Sequence, residues 1–223
     1  MNMLRKLFDE VDHPSDKWES YFDVYERHLQ SFRHIKDINL VEVGVQKGGS
    51  LDMWATYFYM AKSITGIDVD PECAKLSYTD KRVKVVIGDQ DSPEFWDKFL
   101  SENKDINIFI DDGGHFMSQQ ILTFEKVFPT MPVGSIYICE DCHTSYMSYN
   151  GGGLNRSSSF IEYAKSYVDV LHWDWKEQFT TELERKWKLS QGLTSVHFYD
   201  SMVVFEKFGK KEMTRVSPKS RNQ

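Results

Sequence analysis

The sequence predicts an α/β fold: a doubly wound, mostly parallel sheet that ends in a C-terminal antiparallel hairpin. Two observations carry this expectation. Over residues 38–139, short apolar runs alternate with helix-like amphipathic segments, the pattern of strand–helix–strand units in a parallel sheet. Near the end, the strand-like runs 194–199 and 202–205 are separated only by Asp200 and Ser201. So short a link forces an antiparallel pair.

The elements follow in order. Residues 38–43 read as a buried strand and 50–60 as the helix after it. A short strand over 64–67 leads to Asp68, and Pro71 suits the first turn of a helix. A third strand, 83–87, ends at Gly88-Asp89. Ser92 can cap a helix at Pro93, with Phe95, Trp96, Phe99 and Leu100 on its apolar face. The fourth strand, 106–110, runs into Asp111, and a helix over 116–127 stops near Pro129. The fifth strand spans 135–139. After a loop at Asn150-Gly151-Gly152-Gly153, a capped helix is expected over 157–168. The stretch 171–189 carries Trp173, Trp175, Phe179 and Trp187 and reads as an insertion over the sheet edge. Its aromatics suit either packing or a stacking platform for a ring.

Composition narrows the class. The 223 residues suffice for one large domain with a substantial core. A formal net charge of −7 argues against general affinity for nucleic acid or anionic membrane. The basic tail, with Lys210, Lys211, Arg215, Lys219 and Arg221, is the exception and reads as a frayed, solvated end. Three cysteines do not make a disulfide framework. No stretch has the length of a membrane span and no apolar leader follows Met1, so a cytoplasmic, reduced protein is expected. Composition leaves open whether it forms a homo-oligomer. Cys139 and Cys142 have C-x-x-C spacing, but without a second pair they do not make a structural zinc site.

The chemistry concentrates at strand ends. Asp111-Asp112-Gly113-Gly114-His115 and Glu140-Asp141 close two of the apolar runs. Ligands bind at such ends in α/β proteins. Carboxylates gathered there repel one another unless a cation or protons neutralise them, so a metal-assisted reaction is the first hypothesis. Helix capping is the alternative for the acids, and a structural hydrogen bond is the alternative for His115. Earlier in the chain, Gly44 and Gly48 lie between the first strand and its helix, Asp68 ends the second strand and Gly88-Asp89 the third. Glycines let a backbone approach a ligand, and an acid placed as Asp68 is can bind ribose hydroxyls. Together they describe a nucleoside site. The spacing is not G-x-G-x-x-G, and no Gly-Lys-Ser/Thr loop is present, which argues against NAD and ATP.

At these residues the chain resembles the class I S-adenosylmethionine-dependent methyltransferases. Within them it is most similar to the metal-dependent O-methyltransferases that act on deoxysugars of macrolide antibiotics. The resemblance rests on residues 42–50, on Asp111 to His115, on Phe128-Pro129 and on Glu140-Asp141 with Thr144-Ser145-Tyr146. It also includes the closing hairpin, and Ser15-Asp16-Lys17 with Tyr21 and Tyr25. It implies a Rossmann-like sheet of seven strands, the last one antiparallel and inserted beside the fifth. It implies S-adenosyl-L-methionine bound at Glu42, Gly44, Gly48, Ser50, Asp68, Asp89 and Asp111. The same resemblance puts a metal on Asp112, Glu140 and Asp141 and the catalytic base at His115. The organisation expected from the sequence is an N-terminal helical cap over the active site (1–37), a methyltransferase domain (38–209) and a basic flexible tail (210–223). Within the domain, 147–192 is an insertion on the acceptor side. Gly114 stands where serine is more usual, and Cys142-His143 follow the Glu-Asp pair.

Oxygen ligands alone select Mg²⁺, with Mn²⁺ or Ca²⁺ as substitutes, over zinc. The expected acceptor is a sugar or glycoside hydroxyl, acidified at the metal and deprotonated by His115, since imidazole titrates near neutral pH. A catechol-like diol would chelate the same metal. A non-catalytic nucleoside-binding protein is the alternative from another class.

Overall fold

The computed structural model describes residues 2–175, 177–178, 180–209, 211 and 214–217. Phe179 of the insertion and Lys210, Lys219 and Arg221 of the tail lie outside the described residues. Alternation along the strands builds the molecule. In β1 (Asn39–Val43), β4 (Ile106–Asp111) and β5 (Ser135–Cys139), successive residues bury themselves on opposite faces. Leu40, Ile108 and Ile136 meet one core, and Val41, Phe109 and Tyr137 meet the other. Apolar side chains on both faces are what a sheet covered by helices requires.

With β2 (Ser63–Asp68), β3 (Val83–Ile87), β6 (Ser195–Tyr199) and β7 (Met202–Lys207), these strands form one sheet of seven in the order β3-β2-β1-β4-β5-β7-β6. β1 to β5 pair in parallel, while β7 is antiparallel to both β5 and β6. The last strand is inserted beside the fifth, as the family resemblance implied.

Helices α1 (Met3–Phe8), α2 (Glu19–Leu29) and α3 (Gly49–Tyr57) cover one face with Leu4, Tyr25, Leu29 and Trp54. The other face is covered by α4 (Pro93–Glu102), α5 (Met117–Val127), α6 (Phe160–Lys165) and α7 (Tyr167–Leu171), through Trp96, Phe99, Phe124 and Tyr167. No helix among the described residues is long and apolar enough to cross a membrane.

Several boundaries depart from the sequence reading. α3 stops at Tyr57 because Arg82 donates hydrogen bonds to the carbonyls of Ala55 and Phe58, satisfying its last turn from outside. Pro71 opens only a short 3-10 turn, Pro71–Lys75, capped by Asp70. The helix expected over 157–168 starts after Ser159, which caps it, and breaks at Ser166. There the Ser166 hydroxyl donates to the Tyr163 carbonyl and accepts from Lys186 of α8 (Thr181–Leu189), each at 2.6 Å. In the insertion, Trp173 and Trp187 stack on each other with ring centroids 4.6 Å apart.

The register sets the position of the site. Val43 pairs with Asp111, and Asp111 with Cys139, so the carboxyl ends of β1, β4 and β5 are level. From β1 the chain runs out to β2 and β3 on one side, then returns to β4 on the other. Such a reversal leaves a crevice outside the strand ends.

Candidate active site

The crevice is a cavity of about 950 Å³. On one side lies the loop after β1. Gly44 has φ +95°, and a Cβ there would lie 1.9 Å from the Asp112 carbonyl oxygen. Only glycine allows this loop and the Asp112 loop to pass so closely. Asp68 fixes the loop from below: its Oδ2 accepts the N–H groups of Val45 and Gln46 at 2.8 and 2.9 Å. Gly44, Ser50, Asp68 and Asp89 line the cavity. Glu42, Gly48 and Asp111 are not among its lining residues. The buried Glu42 carboxylate accepts from Ser50 Oγ at 2.6 Å, and Gly48, with φ +97°, turns the chain into α3.

On the other side are Asp112, His115, Glu140 and Asp141, all lining the cavity. Asp112 bridges two groups. One consists of Asp112, His115 and Asp141, with donor atoms within 4.8 Å of one another. Here His115 Nε2 lies 3.3 Å from Asp141 Oδ2 and 3.9 Å from Asp112 Oδ1. The second consists of Glu42, Asp112 and Glu140. Among these acids sits the Lys17 ammonium, 2.9 Å from Glu140 Oε2 and 3.5 Å from Glu42 Oε1, and hydrogen-bonded to Asp112 Oδ2. Its side chain is buried. Burial alone would lower the Lys17 pKa, but Asp112 and Glu140 outweigh it and hold the group charged. Burial raises the Asp112 and Glu140 carboxyls; Lys17 pulls both back, and the Asp112 charge pushes Glu140 further up.

The neighbouring side chains position these groups. Tyr21 of α2 donates to Asp141 Oδ1, and its oxygen accepts the Asp141 N–H at 3.1 Å. Tyr25, one turn on, donates to Glu140 Oε1. Gln120 of α5 donates to the Glu140 carbonyl at 3.1 Å. Asp141 and His115 both have positive φ, 52° and 57°, uncommon for non-glycine residues and held here by these surroundings. Asp111 is fully buried and accepts from Gln90 Nε2 at 2.6 Å and from Tyr137 Oη at 3.0 Å. Gln90 Oε1 in turn accepts the Gly114 N–H at 3.0 Å, tying the His115 loop to the end of β3. His143 also lines the cavity, with Nδ1 at 2.5 Å from Ser201 Oγ.

Sequence reasoning gave no role to Gln90 or to Lys17, although Lys17 was part of the resemblance. No residue-type pattern at positions 17 and 90 marks contacts with partners that far along the chain. No described residue of 147–192 lines the cavity; of the insertion's tryptophans, Trp173 and Trp187 stack on each other and Trp175 is exposed.

The residues suit a hard divalent cation and a nucleoside. Asp112 shares one group of donor atoms with Asp141 and the other with Glu140, so the expected set Asp112, Glu140 and Asp141 is not itself one group. Of the buried side-chain atoms without a hydrogen-bond partner among the described residues, Glu42 Oε1 and His115 Nδ1 belong to residues of these groups. Asp68 and Asp89 sit at adjacent strand ends on the side opposite the acids.

No protein-family model matches the chain. It is 31% identical over 208 residues to the 8-demethyl-8-(2-methoxy-alpha-L-rhamnosyl)-tetracenomycin-C 3'-O-methyltransferase of Streptomyces olivaceus, an alignment covering 87% of this chain and 52% of the relative. It is 27% identical to the mycinamicin VI 2''-O-methyltransferase of Micromonospora griseorubida, covering 82% and 47%. Among solved structures, the MycE methyltransferase of mycinamycin biosynthesis, in complex with Mg and SAH, superposes with a TM-score of 0.78 at 25% identity. That superposition covers 92% of this chain and 54% of MycE. The chain thus spans about half the length of the relatives it matches.

Proposed function

We propose that this chain, a homologue of sugar O-methyltransferases with the class I methyltransferase fold, transfers a methyl group from S-adenosyl-L-methionine to a sugar or glycoside hydroxyl with the aid of Mg²⁺. The observation that carries the reading is a single cavity joining the glycine loop, Asp68 and Asp89 to the set Asp112, His115, Glu140 and Asp141. Methyl donor and hydroxyl acceptor must meet in one space, and this cavity supplies both halves.

Gly44, whose lack of a side chain lets its loop pass close to Asp112, lines the half of the cavity assigned to the donor, with Asp68 and Asp89 as the acids for its nucleoside. Asp112, Glu140 and Asp141 would hold Mg²⁺. When bound, the cation lowers the pKa of a hydroxyl that contacts it. In this reading His115 Nε2, 3.9 Å from Asp112 Oδ1 and 3.3 Å from Asp141 Oδ2, takes the hydroxyl proton. Asp141, 3.3 Å away, then stabilises the imidazolium. Tyr21 and Tyr25 orient Asp141 and Glu140, and Lys17 offsets the charge on the Glu42 and Glu140 side. Holding donor and acceptor in line in a walled cavity provides much of the remaining acceleration.

The test is incubation with methyl-labelled S-adenosylmethionine, Mg²⁺ and parallel panels of glycosides and catechols, followed by NMR of any product. A methylated glycoside is expected. Methylation of catechols alone would reassign the acceptor. Absence of S-adenosylmethionine binding by calorimetry, with or without Mg²⁺, would overturn the methyltransferase reading.

A further inference from the structure

Away from the cavity, α2, β6 and β7 bring His28, His197 and Glu206 together near the open edge of the sheet. None of the three lines the cavity. His28 Nδ1 lies 2.9 Å from Glu206 Oε1, and His197 Nε2 lies 3.2 Å from Glu206 Oε2. The donor atoms of all three fall within 4.8 Å of one another. A cation with bonds near 2.0–2.2 Å sets its ligands about 3 Å apart, so the spacing needs little adjustment. Two imidazoles and a carboxylate are the donors that zinc and its neighbours prefer, whereas the acids of the cavity are hard oxygen ligands.

Two further features fit a ligand role. His28 is buried, and its other nitrogen, Nε2, lies 2.7 Å from Tyr199 Oη. A metal-bound histidine characteristically gives its second ring nitrogen such a partner, which fixes ring and tautomer. His197 has a side chain 36% exposed, so the site is open to water on that side.

We propose that His28, His197 and Glu206 form a binding site for a borderline divalent transition-metal ion, Zn²⁺ above all, separate from the carboxylate site of the cavity. The ion would join α2 to the terminal hairpin. The same helix carries Tyr21 and Tyr25 to Asp141 and Glu140, so the site braces the helix that orients those carboxylates.

The test uses the chain without a histidine tag, stripped of metal and then kept in excess Mg²⁺ to occupy the cavity acids. Co²⁺ is added and read by visible absorption; Zn²⁺ is then added and read by displacement of that band and by Tm. The expected result is an intense band typical of nitrogen-ligated, low-coordinate Co²⁺, displaced by Zn²⁺ with a rise in Tm. His197→Gln abolishes the band, and Tyr199→Phe weakens binding by roughly 10- to 100-fold. If the His197 variant does not fold, the Tyr199→Phe affinity decides in its place. No band in the wild type, or a band that neither variant changes, means that the cluster is only a hydrogen-bonded latch and overturns the proposal. Neither reading depends on methyl transfer.

Discussion

His115 and Lys17 define the site at the level of single residues. His115 Nε2 faces two carboxylates, and its Nδ1 has no hydrogen-bond partner among the described residues. If it is the base, His115→Ala should lower kcat by on the order of 10²–10⁴ while calorimetric binding of S-adenosylmethionine persists. A kcat within a few-fold of wild type would remove His115 from that role. Lys17 is the counter-charge of Asp112 and Glu140, and removing one partner of a buried ion pair costs roughly 3–5 kcal/mol. Lys17→Met in EDTA should lose about that much stability in urea unfolding, with added Mg²⁺ recovering part of it. The Asp111 carboxyl is pushed up to about 7, by burial first, against hydrogen bonds from Tyr137 and Gln90. A carboxyl raised in the folded state binds its proton more tightly than the unfolded chain does. Its stabilising contribution is therefore complete below the unfolded value of about 3.9 and is lost as pH rises through about 7. Asp111→Asn should flatten the decline of Tm across that window, and an unchanged slope would assign the decline to other groups.

Among the elements, α2 was the least legible from sequence, while the hairpin, expected over 194–199 and 202–205, formed over Ser195–Tyr199 and Met202–Lys207. The parallel strands were readable because burial on both faces leaves apolar runs bounded by acids and glycines, and β1, β3, β4 and β5 formed within a residue of expectation. The ends of α3 and α6 were not, because Arg82 and Lys186, far along the chain, supply the partners that stop or break those helices. Asp112, Glu140 and Asp141 were read from their place at strand ends as one metal set beside His115, whereas the structure brings Asp112 together with His115 and Asp141 in one group and with Glu42 and Glu140 in another. The Lys17 contacts were not, since they span 95 and 123 residues and leave no local pattern. α2 acts through two tyrosines one turn apart. Tyr25→Phe leaves the buried Glu140 with one donor fewer and should cost about 1–3 kcal/mol, measured by denaturant unfolding. At the hairpin, Glu206 is depressed to about 2, chiefly by His28. Its contribution is present above the unfolded value of about 4.3 and is lost as pH falls toward 2. Glu206→Gln should remove that part of the acid-induced loss of Tm.

At the scale of the whole molecule, the order β3-β2-β1-β4-β5-β7-β6 puts Asp68 and Asp89 on one flank of a reversal in the chain's path and Asp112, Glu140 and Asp141 on the other. At the strand ends Glu42, Asp112, Glu140 and Asp141 gather, and there Lys17 contacts the first three of them. A cation is the natural complement of what remains. The most direct measurement is transfer of labelled methyl from S-adenosylmethionine to a glycoside panel, by wild-type and Asp112→Asn chains, in Mg²⁺ and in EDTA. Cofactor binding is measured on the same samples. The expected result is transfer by the wild type in Mg²⁺ only, none by Asp112→Asn, and cofactor binding by both. Transfer that continues in EDTA, or that Asp112→Asn sustains at the wild-type rate, would contradict a metal-assisted reaction at these carboxylates.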